Sequence, residues 1–154
     1  MAGMGFADPR FILIHGDYWQ SNEKRRPIVL QAWYAQFADY LLDHLRKKFP
    51  NHQKIQDLEN RGAHDVLVRV HNLSRTVFPT LSIIKHTKAK KALYVVKEHR
   101  NFGTHEKIKD LEWLKEMLQG MIEFCESSGI QEEKLLTFKR NCQRELNQLS
   151  PSLY

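Results

Sequence analysis

An arginine, an asparagine and a histidine share the string Arg100-Asn101-Phe102-Gly103-Thr104-His105. Imidazole is the side chain best suited to take up or release a proton near neutral pH. A guanidinium offers two parallel donors to phosphoryl oxygens and meets negative charge as it builds there. Chemistry at phosphorus that needs a proton carrier and an oxyanion clamp is within reach of these residue types. The other chemistry-bearing residues are less organised. His44 and His52 flank a predicted helix end, His64 and His71 stand seven apart, and no His-Glu-x-x-His pattern links any of them. They read as solvated helix-surface residues, so no metal site is predicted. Cys125 and Cys142 form no Cys-x-x-Cys pair and fall on apolar helical faces, where cysteine behaves as a small hydrophobe.

The Arg100 to His105 string resembles the Arg-(Asn/His/Asp)-x-x-x-His motif of the HEPN superfamily of helical ribonucleases and nucleotide-binding domains. The resemblance covers roughly residues 92 to 125. In that family the motif sits where one bundle helix ends and the next begins. Here Lys97-Glu98-His99 precedes it and an amphipathic stretch from Glu106 to Cys125 follows. Gly103 departs from the larger residue often found near its position. The resemblance implies a metal-independent ribonuclease, in a toxin or defence role, in which the substrate's own 2′-hydroxyl attacks. His105 is then base or acid, Arg100 clamps the phosphate and Asn101 orients one of them. No cofactor is implied. A histidine near a helix N-terminus would stay neutral, which suits a base. Family members commonly join two motifs across a two-fold axis, so a homodimer or a subunit of a larger assembly is expected. The alternative is a non-catalytic basic bundle that binds RNA or serves as a protein-interaction subunit. Arg100 and Asn101 would then merely end a helix, and His105 would be a solvated first-turn residue.

A second string, His15-Gly16-Asp17-Tyr18-Trp19-Gln20-Ser21-Asn22, resembles the catalytic loop of aminoglycoside-phosphotransferase-like kinases. That loop needs a nucleotide lobe before it and a metal-binding aspartate shortly after it. Only fourteen residues precede His15, so Gly16-Asp17 is read as a turn.

Charge placement points to an anionic partner. The chain carries a formal +6 with a pI near 9.4. Between positions 85 and 109 stand Lys85, Lys88, Lys90, Lys91, Lys97, Arg100, Lys107 and Lys109 against Glu98 and Glu106, an excess that equals the whole net charge. The seven lysines are the predicted nucleic-acid contacts, with RNA the expected partner. Of the aromatics, Trp33, Tyr34, Tyr94 and Trp113 have the shape to stack on bases, but their helical spacing assigns them to the core.

The elements that must position these residues are helices. Residues 1–27 read as an irregular N-terminal arm, with Phe11 to Ile14 a short strand or apolar clamp. Residues 28–150 read as an antiparallel four- or five-helix bundle, all-α, and 1–154 as one domain. Pro27 opens a helix striped by Leu30, Trp33, Tyr34, Phe37, Tyr40, Leu41, Leu45 and Phe49, and Pro50 stops it. A second helix is predicted from Gln53 to Phe78, with Gly62 marking a close helix crossing. A third spans Thr80 to Asn101 with a stripe of Leu81, Ile84, Lys88, Ala92, Val95, His99 and Phe102. Helix is preferred there to strand, despite β-prone Leu93 to Val96, because no other long strand exists to pair with it. Gly103 ends it and Thr104 caps the next, which closes at Ser127-Ser128-Gly129. A last helix carries Leu135, Phe138, Cys142, Leu146 and Leu149. No apolar run approaches the ~20 residues of a membrane span, and a cytoplasmic protein without membrane association is expected.

Overall fold

A computed structural model describes residues 26–59, 61–105 and 111–149, with side chains described for 31–59, 61–99 and 112–149. The predicted arm, its Phe11 to Ile14 patch and the string around Asp17 lie outside the described residues. Among those described, the chain is all-α, without strands. Five longer helices, α1 (Arg26–Lys48), α3 (Ala63–Asn72), α5 (Ile83–His105), α6 (Leu111–Ser127) and α7 (Glu133–Leu149), alternate with two single turns, α2 (Gln53–Gln56) and α4 (Ser74–Val77). None of them is long and apolar enough to cross a membrane.

The core forms where the stripes of α1, α6 and α7 meet. Trp33, Tyr34, Phe37, Leu41 and Leu45 of α1 are all fully buried, as its spacing predicts. Their rings interlock with those of the other helices. Phe37 meets Phe124 edge-on at 5.6 Å between centroids, Trp33 meets Phe138 at 5.6 Å, and Phe78 reaches Phe124 at 5.7 Å. Buried aromatics of this size stabilise by about 1.5–3 kcal/mol each, so this cluster anchors the bundle. Both cysteines lie in it as free thiols, and burial pushes the Cys125 thiol up to about 12. Gly129, with φ +74°, takes the left-handed conformation beyond the end of α6 that its type predicts.

Three expectations need correction. The single helix over Gln53 to Phe78 is broken twice, after Gln56 and at Leu73, giving α2, α3 and α4. Its apolar positions Ile55, Leu58, Val66, Val70 and Val77 are nonetheless buried. The spacing thus reports the side that faces inward and misses the breaks, which cost no burial. Gly62 is no crossing point. It is the extended residue before α3, and a Cβ placed there meets nothing within 4 Å. The close crossing is at Gly120, where a Cβ would lie 3.1 Å from Val96 Cγ2 and 3.3 Å from Val95 Cγ1, so α6 rides directly on α5.

The third correction concerns the buried face of α5. His86, Ala89, Ala92, Leu93 and Val96 point into the core, and of these only Ala92 belongs to the predicted stripe, whereas Ile84 is 70% exposed and Lys88 is exposed. The stripe read from the sequence is rotated by roughly a quarter turn or more of an ideal helix. It marks the edge against α6, where alanine, valine and lysine stems line an incompletely filled seam.

Candidate active site

The seam between α5 and α6 opens into a groove of about 640 Å³, a size typical of small-molecule or substrate clefts. Ala92, Val95 and Gly120 form its apolar floor, Lys88 and Lys91 one rim, and Glu116 and Glu123 the other. At one end stands His99. Its ring lies tilted on Trp113 with centroids 4.7 Å apart. Its Nδ1 is 2.9 Å from the carbonyl of Val95, and its Nε2 is 3.1 Å from Glu116 Oε1. Both ring nitrogens therefore face oxygen acceptors, and both bonds are made together only when each nitrogen carries a proton. A carboxylate that aims an imidazole is a recurring arrangement in proton-transfer sites. The sequence places His99 in the stripe of α5 and directly before the motif, and assigns it no role at a site. Its position directly before Arg100 is the one signal that was available.

Arg100, Asn101 and His105 continue the same helix. Their backbone belongs to α5, and their side chains lie outside the described residues. This moves the predicted boundary. Gly103 does not end α5 and Thr104 does not cap α6, because α5 runs through both to His105. A glycine inside a helix costs only about 1 kcal/mol, too little to stop one by itself. His105 is thus the last residue of α5 and not a first-turn residue of α6, so it does not stand at a helix N-terminus. In an ideal helix five residues advance about 140° around the axis. The Arg100 and His105 positions therefore lie on different sides of α5.

The predicted nucleic-acid lysines divide between two sides of α5. Lys88 and Lys91 line the groove. Lys90 and Lys97 lie towards α3, where after burial they help hold the His71 imidazole below its ordinary range. Lys97 is already engaged, 3.2 Å from Glu98 and 4.5 Å above the Tyr94 ring. Lys85 is exposed at the start of the helix, where its backbone N–H donates to Ser82 Oγ at 3.2 Å. Lys107 and Lys109 lie outside the described residues. Of the aromatics considered for stacking, Trp33 and Tyr34 are core and Trp113 backs His99, while Tyr94 is 46% exposed beside His71.

No family model, curated protein or solved structure matches the chain. Among the described residues, no group of three or more His, Cys, Asp or Glu side chains is placed to hold a metal ion. The groove brings together cationic stems, an apolar floor and a carboxylate-paired imidazole, beside a helix end that carries an arginine and a second histidine.

Proposed function

We propose that the chain is a metal-independent endoribonuclease of the HEPN type, acting at the His105 end of the α5–α6 groove. The observation that carries the reading is the Arg100-Asn101-x-x-x-His105 string on the closing turns of a bundle helix, next in the chain to the groove residue His99. The reaction needs a base to take the 2′-hydroxyl proton while the 2′-oxygen bonds to phosphorus. It needs an acid to protonate the departing 5′-oxygen as its bond to phosphorus breaks. His105 fills one of these roles and Arg100 meets the charge gathering on the phosphoryl oxygens. Asn101 orients one of the two. His99, backed by Glu116, supplies a second imidazole within one protomer. A two-fold partner's motif is the alternative source of that second group, and homodimerisation belongs to the same reading.

The second reading is a non-catalytic RNA-binding or protein-interaction bundle. The mixed rim of the groove favours its protein-interaction form, since Glu116 and Glu123 oppose a phosphate chain held by Lys88 and Lys91. Mixed-sequence RNA incubated with chelator separates the two. The nuclease yields fragments ending in 2′,3′-cyclic phosphate, spares DNA because it lacks the attacking hydroxyl, and loses cleavage in His105→Ala. Binding without cleavage by wild type assigns the bundle to the second reading.

A further inference from the structure

A second concavity, of about 290 Å³, lies between α2 and α3, on residues the charge-rich segment does not include. Lys54, Arg61 and Arg69 line it against a single carboxylate, Asp57. Elsewhere on this part of the surface cations are answered locally. Arg46 pairs with Glu59 at 3.0 Å, and Lys47 with Asp43 at 3.1 Å. In the concavity the pattern changes. Asp57 accepts a hydrogen bond from Gln53 Nε2 at 2.7 Å. Arg61 is fixed by two bonds, its Nε to the Asp57 carbonyl at 3.3 Å and its Nη1 to Asp65 at 3.1 Å. Lys54 and Arg69 make no side-chain hydrogen bond or ion pair among the described residues. The cations of the hollow outnumber its one carboxylate, and a shared anion relieves the repulsion that remains between them.

We propose that this concavity binds the terminal phosphate of a phosphomonoester. A phosphomonoester carries close to two negative charges and three acceptor oxygens, and the hollow offers it three cations against the one carboxylate of Asp57. Arginine forks suit its oxygens better than a point charge does. Asn72, on the same face of α3 as Arg69, adds a neutral donor. Leu58 and Leu73 supply an apolar wall for the organic part of the ester. The proposal does not depend on the ribonuclease reading, since the site shares no residue with the α5–α6 groove.

The test uses the full chain at low ionic strength, titrated with inorganic phosphate, adenosine 5′-monophosphate and adenosine, and followed by calorimetry. The nucleotide is expected to bind more tightly than inorganic phosphate, and adenosine not at all. Arg69→Gln combined with Lys54→Gln is expected to weaken nucleotide binding at least tenfold. Asn72→Asp, which adds a carboxylate at an exposed position, is expected to weaken it as well. Circular dichroism checks that each variant keeps its helices. A 5′-phosphorylated oligoribonucleotide compared with its 5′-hydroxyl form then identifies the source. Tighter binding of the phosphorylated form assigns the site to RNA ends, and equal binding of the two forms assigns it to free nucleotides. Equal affinity of wild type and the double variant for the nucleotide overturns the proposal, as does an absence of nucleotide binding at millimolar concentration.

Discussion

The two sides of α6 have been built in opposite ways. Towards α5 the helices touch at Gly120 and then part, leaving a groove whose ionisable residues meet water or each other. Towards α1 and α7 the packing is closed by Phe124, Phe37 and Phe138, and the ionisable group in that region is poorly provided for. Glu145 of α7 is 5% exposed, and its Oε2 has no hydrogen-bond partner among the described residues. Burial pushes its carboxyl up to about 8, and it lies close enough to Cys142 to help raise that thiol further. The difference teaches where this chain can do chemistry. Groups in the open seam exchange partners at little cost. The closed side holds a carboxyl that prefers to keep its proton, which makes it a liability in stability.

The largest expected effect tests whether the open side is a catalytic one. His105→Ala is expected to lower the rate of RNA cleavage by roughly 10²- to 10⁴-fold, the usual contribution of a positioned acid or base, and Arg100→Ala by a similar factor. Gel analysis in the presence of chelator measures both. His99→Ala sharpens the assignment through the pH profile. If His99 is the second proton carrier, the variant loses one limb of the bell, and specific activity of the wild type does not depend on protein concentration. If a partner's motif provides the second group, activity rises with concentration and His99→Ala keeps both limbs.

The closed side should announce itself in pH. In the folded chain Glu145 stays protonated up to about 8, whereas an unfolded glutamate titrates near about 4.3. Between those values the folded state binds more protons, so stability falls as pH rises through that window. The penalty is absent below the unfolded value and complete above the folded one. Glu145→Gln is expected to remove it, stabilising the chain at pH 9 by on the order of a few kcal/mol and having little effect at pH 4. Urea denaturation at the two pH values reads this out. An equal change at both would place the carboxyl in water.

How these two sides were encoded explains what the sequence could reveal. The closed side is legible because its residues obey helical spacing: Trp33, Phe37, Leu41 and Leu45 recur at intervals that only one face of a helix can satisfy, and all are buried. The open side is not. Lys88, Ala92, Val95 and His99 obey the same spacing, yet they line a groove, since periodicity records which residues share a face and not whether another helix covers it. The glycines fail for a related reason. Gly62 and Gly120 look alike in sequence, and only the distance to Val96 separates a loop residue from a helix contact. The concavity with Lys54, Arg61 and Arg69 is equally hidden, because its charges come from α2, the connection after it and α3, and form no run in the chain.

Those glycines give the next effect in size. Gly120→Leu is expected to destabilise by about 1–3 kcal/mol, the usual cost of overpacking, because the valine side chains across the contact are already near the limiting approach. Gly62→Ala enters open space at a φ of −71° that any residue adopts. It is expected to change stability by less than about 0.5 kcal/mol, as surface substitutions usually do. Thermal melts of both variants compare them directly, and equal losses would mean that the α5–α6 contact can widen freely.

The smallest effect concerns the proposed RNA partner and the side of α5 that it would follow. Each lysine that neutralises a phosphate contributes about 0.7 to the slope of log affinity against log salt for a single strand. Lys88 and Lys91 share the groove, whereas Lys90 and Lys97 lie towards α3, with Lys97 already held by Glu98 and Tyr94. If RNA runs along the open seam, Lys88→Gln with Lys91→Gln removes two such contacts and flattens the slope by roughly 1.4. Lys90→Gln with Lys97→Gln then leaves it nearly unchanged, although both pairs remove the same formal charge. Fluorescence anisotropy with a short labelled oligonucleotide, at several salt concentrations, measures each slope. An equal flattening by the two pairs would mean that RNA responds to the net charge of the chain and not to the groove. A larger change from the second pair would move the RNA path to the exposed Tyr94 face, where an aromatic ring is available to a base.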